Sequence, residues 1–247
     1  MTTPHRAMVL AAGRGERLRP LTDSRPKPLV EVGGRALIDH VLDRLDEAGV
    51  ETAVVNLHYC GDQIEHHLVG RRRPAIQFSR ETEPLETGGG VAKALPLLGA
   101  APFFVANGDV LLLNGRVPAV RRVADAWNGR TMDGLLLMHA ASSAFGYEGK
   151  GDYFLSPAGV LRRRRDREIA PFVYAGVVLV HPRLFEGAPA GGFSLNVLFD
   201  RAQAAGRLYG IRHDGVWFHV GTMAAHAETE SWLRSRESWA DTRASEA

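Results

Sequence analysis

Cysteine is all but missing from this chain: Cys60 stands alone among 247 residues. No disulfide can close within the chain and no paired-cysteine zinc or redox site is possible, so a reducing compartment is expected. A surplus of one charge is missing too, because 30 Lys and Arg face 28 Asp and Glu for a formal net charge of +2. The basic residues are dispersed except at 71–73 and 162–165, unlike the cationic face of a nucleic-acid binder. The second run reads as a solvated hairpin or loop. No apolar run is long enough to cross a bilayer, and the polar start M-T-T-P-H-R is followed by no signal-peptide core with a small-residue cleavage site. A cytoplasmic protein without a membrane partner is the resulting expectation. The G-x-S-x-G elbow of many hydrolases is absent as well.

What is present is the make-up of an ordinary globular protein, with 45% hydrophobic and 23% charged residues. That supports one large α/β domain with an ample core, expected over 1–233, with a polar, frayed tail over 234–247. Strand-like runs at 8–12, 52–57, 76–79 and 103–106 alternate with helical stretches at 37–48, 61–68 and 90–97. Such alternation predicts a Rossmann-like α/β fold, a mixed and mostly parallel sheet with helices on both faces. Leu37, Ile38, Val41, Leu42 and Leu45 recur at helical spacing, and Gly49 stands where the helix would be capped. Beyond Asp133, strands at 134–138, 152–155, 160–163, 172–180, 208–211 and 216–220 and helices at 194–205 and 223–233 extend the same domain. Ligands of such sheets sit beyond the carboxyl ends of the strands, where the loops after 12 and 79 and the turn at 107–109 converge.

The first strand runs into Leu10-Ala11-Ala12-Gly13-Arg14-Gly15, with Arg17 and then Arg25-Pro26-Lys27-Pro28-Leu29 following. Glycines let backbone N–H groups turn toward an anion, and Arg14, Arg17 and Lys27 add fixed positive charge. Taken alone, a glycine loop after a strand fits a plain turn as well as a phosphate cradle. Asn107-Gly108-Asp109 is a turn-forming trio that also sets one carboxylate at the same end of the sheet. A single carboxylate suits Mg²⁺, which completes its shell with water and phosphate oxygens. Leu85-Glu86-Thr87-Gly88-Gly89-Gly90 reads as a hinge or as a loop that a base or phosphate approaches closely. Trp217-Phe218-His219-Val220-Gly221-Thr222 puts a histidine on an apolar strand, a structural residue or a metal ligand.

In order and spacing, L-A-A-G-x-G-x-R-L-x-P-L-T followed by P-K-P-L resembles the signature of the sugar-1-phosphate nucleotidyltransferases, and the likeness extends over most of residues 7–233. The resemblance implies the nucleotide-diphospho-sugar transferase fold. It implies a reaction between two partners, a nucleoside triphosphate and a sugar 1-phosphate, with release of pyrophosphate and with Mg²⁺, or else Mn²⁺ or Co²⁺, as cofactor. Catalytic roles fall to Arg17, Lys27 and Asp109. Nucleotide binding falls to Leu10, Ala11, Ala12, Gly13, Arg14, Gly15, Glu86 and Gly88. The sugar falls to Asn107, Tyr174, Gly176 and Asn196, and the metal to Asp109 and His219.

Within the family, L-E-T-G-G-G resembles bacterial N-acetylmuramate-1-phosphate uridylyltransferases of cell-wall sugar recycling, which favours UTP. Mannose-1-phosphate guanylyltransferases share E-T-G-G, so they and other hexose or heptose phosphate enzymes are the alternative. A nucleotide-binding regulatory protein without turnover is the non-enzymatic one. Two departures bear on these readings. His219 replaces the aspartate of the family's W-x-D-V-G-T, and the E-K-P element that holds the sugar phosphate is missing, with 166–171 in its place. The N-acetylmuramate enzymes lack E-K-P too. No β-helical extension for acyl transfer is expected, and the expected assembly is a monomer or small homo-oligomer.

Overall fold

The computed structural model describes residues 4–245, with side chains described through Arg236. In chain order its elements are β1 (Arg6–Leu10), β2 (Glu31–Val32), β3 (Arg35–Ala36), α1 (Leu37–Glu47), β4 (Thr52–Leu57), α2 (Gly61–Leu68), β5 (Ala75–Arg80) and α3 (Glu86–Leu98). There follow β6 (Phe103–Asn107), β7 (Leu111–Leu113), α4 (Ala119–Ala126), β8 (Gly134–Ala140), β9 (Tyr153–Leu155), β10 (Leu161–Arg163) and β11 (Phe172–Val180). The chain ends in α5 (Leu195–Ala204), β12 (Leu208–Arg212), β13 (Val216–Phe218) and α6 (Met223–Ser245).

Among the described residues nine strands form one sheet. Its centre is parallel, β5-β4-β1-β6, and β11 then runs antiparallel between β6 and β8, with β12 parallel to β8 beyond. Apolar residues on both faces of β4 and β6 suit strands covered on both sides. One core packs Ile38, Val41, Leu42 and Leu45 of α1 with Ile64 of α2 and Val123 of α4, and the other packs Val91 of α3 with Leu198 and Phe199 of α5. Each such side chain contributes about 1.5–3 kcal/mol by leaving water. Strand register does the positioning for function. Leu10 pairs with Asn107, so β1 and β6 end level, and Gly108 N–H donates to the Leu10 carbonyl at 2.8 Å.

The fold departs from the sequence expectations at several points. Strand β1 ends at Leu10 because the N–H of Ala11 leaves the ladder and donates to Asn56 Oδ1 at 2.7 Å. The three glycines at 88–90 are the first turn of α3, not a loop before it. Helix α6 continues past 233 to Ser245; residues 246–247 and the side chain of Trp239 lie outside the described set. The arginines at 162–165 are not simply solvated. Arg162 pairs with Glu168 in the following loop at 2.7 Å, and Arg163 pairs with Asp200 at 2.7 Å, which joins the β9–β10 hairpin to α5.

Candidate active site

A cavity of about 320 Å³ opens beyond the carboxyl ends of β1, β4 and β6, lined from the first segment by Leu10, Ala12 and Gly13, from residues 84–87, from Asn107 and Asp109, and by Asn56 and Glu81. Leu10, Ala12, Gly13, Glu86, Asn107 and Asp109 face it as the sequence predicts. A larger cavity of about 700 Å³ lies at the opposite, amino-terminal ends of β1 and β6 against Arg6, Pro102 and Trp127, and holds none of the predicted site residues.

The first segment is shaped by its two glycines. A Cβ on Gly13 would meet nothing within 4 Å among the described residues, so that stretch of backbone is open to a ligand. Gly15 differs: its φ is +64°, and a Cβ there would lie 2.7 Å from Lys27 Cβ. Glycine at 15 is therefore what lets the lysine stem pack under the loop. The Thr22 hydroxyl donates to the Gly15 carbonyl at 2.9 Å and ties down the other end. Arg14 and Arg17 are exposed, and their side chains have no hydrogen-bond or ion-pair partner among the described residues. Two unpaired cations beside an open backbone suit the negative charge of a triphosphate.

Lys27 begins a short 3-10 turn between Pro26 and Pro28, which fix its backbone. Its Nζ donates to Asp109 Oδ2 at 2.6 Å, with the lysine side chain only 13% exposed. Elements 82 residues apart in sequence are thus joined by one charge-assisted hydrogen bond at the mouth of the cavity.

His219 sits beside this pair. Burial, then the positive charges of Lys27 and Arg17, lower its pKa below the ordinary imidazole value, while Asp109 and Asp152 pull the other way. The ring is accordingly neutral at pH 7. It meets Trp217 at a tilt at 5.7 Å and Tyr147 edge-on at 5.9 Å between centroids, and a Cβ on Gly221 would lie 2.4 Å from its Nε2. Glycine at 221 is therefore what lets the imidazole pack against the backbone there, with Nε2 toward it. Behind Trp217 lie two buried imidazoles, His139 and His213, 5.6 Å apart, whose pKa values burial also lowers.

Several predicted binding residues have other work. The Ala11 N–H is engaged by Asn56 and is not free for phosphate. Gly88 does not line the cavity: its N–H donates to the Phe193 carbonyl at 2.7 Å, and a Cβ there would strike the Phe193 ring at 2.3 Å. Gly176, at φ +80° in a bulge of β11, makes room for Val110, which a Cβ would approach to 2.2 Å, and not for an open pocket. Tyr174 is edge-on to Phe199, and burial raises the pKa of its phenol. Asn196 is exposed in the first turn of α5 and does not reach the cavity.

Two residues escaped the sequence reading. Asn56 and Glu81 are buried and bonded, Nδ2 to Oε1 at 2.7 Å, and Glu81 Oε2 accepts from the Leu85 N–H at 3.2 Å. Together with the bond from Ala11 they fix both walls of the cavity. A polar residue inside the apolar run A-V-V-N-L was the available signal, because a buried amide needs partners. At the α3 end, Glu86 takes φ +56°, a conformation costing a non-glycine residue about 1 kcal/mol or more and concentrated at functional sites.

The chain belongs to the nucleotidyl transferase family, whose model matches residues 6–152. Its class there is the sugar-1-phosphate nucleotidyltransferases. It is similar to the N-acetylmuramate alpha-1-phosphate uridylyltransferase of Caulobacter vibrioides, 48% identical over 235 residues, 93% of this chain and 97% of that one. The enzyme of the same name from Neisseria meningitidis serogroup B is 36% identical over 92% of this chain and 97% of its own. The mannose-1-phosphate guanylyltransferase catalytic subunit beta of Drosophila melanogaster is 43% identical, but over 111 residues that span 43% of this chain and 30% of that one. Among solved structures, a UDP-glucose pyrophosphorylase complexed with UDP-glucose shares the fold at a TM-score of 0.77 and 14% identity, over 94% of this chain and 98% of that one.

Proposed function

We propose that this enzyme joins UTP to N-acetylmuramate 1-phosphate, forming the UDP-sugar and releasing pyrophosphate, in cytoplasmic recycling of cell-wall sugar. The observation that carries the reading is the 48% identity to the C. vibrioides uridylyltransferase across nearly the full length of both chains. The guanylyltransferase likeness covers only 111 residues, 43% of this chain and 30% of that one. Retention of the Lys27–Asp109 pair favours turnover over a purely regulatory role.

In this reading an oxygen of the sugar phosphate attacks the α-phosphorus in line with the departing pyrophosphate, with no covalent intermediate on the protein. Catalysis is then positioning and charge neutralisation. Arg14, Arg17 and the open backbone at Gly13 receive the β and γ phosphates. Lys27 exchanges its contact with Asp109 for the α-phosphate and the sugar phosphate, two anions that must be held together despite their repulsion.

Among the described residues no group of three or more His, Cys, Asp or Glu is set to hold a metal ion. Mg²⁺ commonly takes one or two protein ligands and leaves the rest to water and phosphate, so the donors here fit. Asp109 has a second carboxylate oxygen beyond the one facing Lys27, and the lowered pKa of His219 leaves a ring nitrogen with a free lone pair. These two residues would hold the ion, which supplies positive charge to the triphosphate when bound. An imidazole there makes Mn²⁺ or Co²⁺ better competitors than a second aspartate would.

Pyrophosphate release over a grid of UTP, GTP and dTTP against sugar 1-phosphates tests the assignment. UTP with N-acetylmuramate 1-phosphate should be fastest. A tenfold faster rate with GTP and mannose 1-phosphate, about 1.4 kcal/mol of transition-state preference, would overturn the substrates and leave the class intact. No turnover anywhere in the grid would restore the regulatory reading.

A further inference from the structure

The arginine run at 162–165 has no part in the reaction above, and its members are not equivalent. Arg162 and Arg163 are neutralised by Glu168 and Asp200. Arg164 has no carboxylate partner among the described residues: its Nε donates to the Gly151 carbonyl at 2.8 Å and its Nη1 to the Arg165 carbonyl at 3.4 Å. It is partly buried, while Arg165 and Lys150 are exposed. The turn that anchors it reaches His219 through Tyr147. Gly151 N–H donates to the Tyr147 hydroxyl at 3.0 Å, and the Tyr147 ring stands edge-on to His219 and Trp217 at 5.9 and 6.0 Å. The turn is also rigid, since Gly151 has φ +69° and a Cβ there would fall 2.0 Å from the Ala170 carbonyl. A guanidinium with no carboxylate hydrogen-bond or ion-pair partner among the described residues thus connects to His219 through the Gly151 turn and the Tyr147 ring, with the Asp152 carboxylate acting on both rings.

N-acetylmuramate differs from N-acetylglucosamine by a lactyl ether ending in a carboxylate, and an anion entering a partly buried site needs a cation there. The cations at 14, 17 and 27 face phosphates in the proposed reaction. Resting on the uridylyltransferase reading, we propose that Arg164 receives the carboxylate of the sugar substrate and is the residue that selects an acidic hexosamine 1-phosphate over its neutral counterpart. Its remaining guanidinium N–H groups are planar and pre-oriented by the two carbonyls, the arrangement that suits a carboxylate.

The test is kcat/KM with UTP for N-acetylmuramate 1-phosphate and for N-acetylglucosamine 1-phosphate, in wild type, Arg164→Lys and Arg164→Met. The ratio of the two sugars within one preparation is independent of how much of that preparation is folded. Wild type should prefer the acidic sugar, and Arg164→Met should cut the preference about tenfold or more through KM for that sugar, with Arg164→Lys between. Equal losses on both sugars would overturn the proposal and leave Arg164 as a brace for the Gly151 turn. A wild type that uses both sugars equally also overturns it, with uridylyl transfer intact; a wild type that uses neither defeats the substrate reading and the proposal together.

Discussion

A Cβ placed on Gly13 would meet nothing within 4 Å among the described residues, whereas one on Gly88 would lie 2.3 Å from the Phe193 ring and one on Gly89 2.4 Å from the Gly191 carbonyl. Both segments are short glycine runs at the mouth of the same cavity, and in the sequence both read as ligand loops. In the first, absence of a side chain leaves room for substrate. In the second it leaves room for the protein, letting the loop before α5 dock on the first turn of α3. Thr87 completes that docking by accepting the Leu195 N–H at 2.9 Å. The mouth of the cavity therefore has one open glycine segment and one packed one.

The largest effect that would break this comparison is on stability. Gly89→Ala should destabilise the fold by about 1–3 kcal/mol or more, because a backbone carbonyl cannot step aside as a side chain can. Urea unfolding measures it, and a midpoint equal to wild type would mean the α3–α5 contact is not as described. Gly13→Ala should leave the urea midpoint within about 0.5 kcal/mol of wild type and raise KM for UTP roughly tenfold, by filling space a phosphate would occupy. The opposite result, a stability loss with normal KM, would reverse the two roles.

A smaller effect sharpens the contrast on the far wall. His139 and His213 are at most 4% exposed, and burial lowers both pKa values. Below about pH 6.5 the unfolded chain binds protons that these folded imidazoles refuse. Their contribution to stability is complete above that pH and is lost as pH falls, by up to about 1.4 kcal/mol per unit for each ring. Stability measured between pH 6.5 and 5 should fall less steeply in His139→Phe than in wild type; equal slopes would show that His139 is protonated in the fold.

Where one face of an element is apolar, the sequence was legible. Helix α1 is amphipathic at a period of 3.6, and β4 and β11 coincide with their apolar runs. Helix α4 was not legible, since A-V-R-R-V-A-D-A buries only two alanines and two valines and mixes charge into so short a span. The hairpin β2–β3 is too short to show a period. In the site, Lys27 and Asp109 were found through the family resemblance, and the structure puts them in contact. Asn56 and Glu81 act through partners distant in sequence, such as the pair from Ala11 to Asn56, which no local pattern encodes. The misreading of Gly88 and Gly176 has one cause: glycine in a sequence reports the need for space, and only the fold says what fills it.

The central claim is that Lys27 and Asp109 form the charged centre of a nucleotidyl transfer reaction, and turnover of Asp109→Asn tests it most directly. The measurement is pyrophosphate release from saturating UTP and N-acetylmuramate 1-phosphate over a Mg²⁺ titration, with thermal unfolding to confirm that the variant is folded. The expected result is a loss on the order of 100-fold or more that added Mg²⁺ does not restore. A folded variant with a near-normal rate at saturating Mg²⁺ would contradict it.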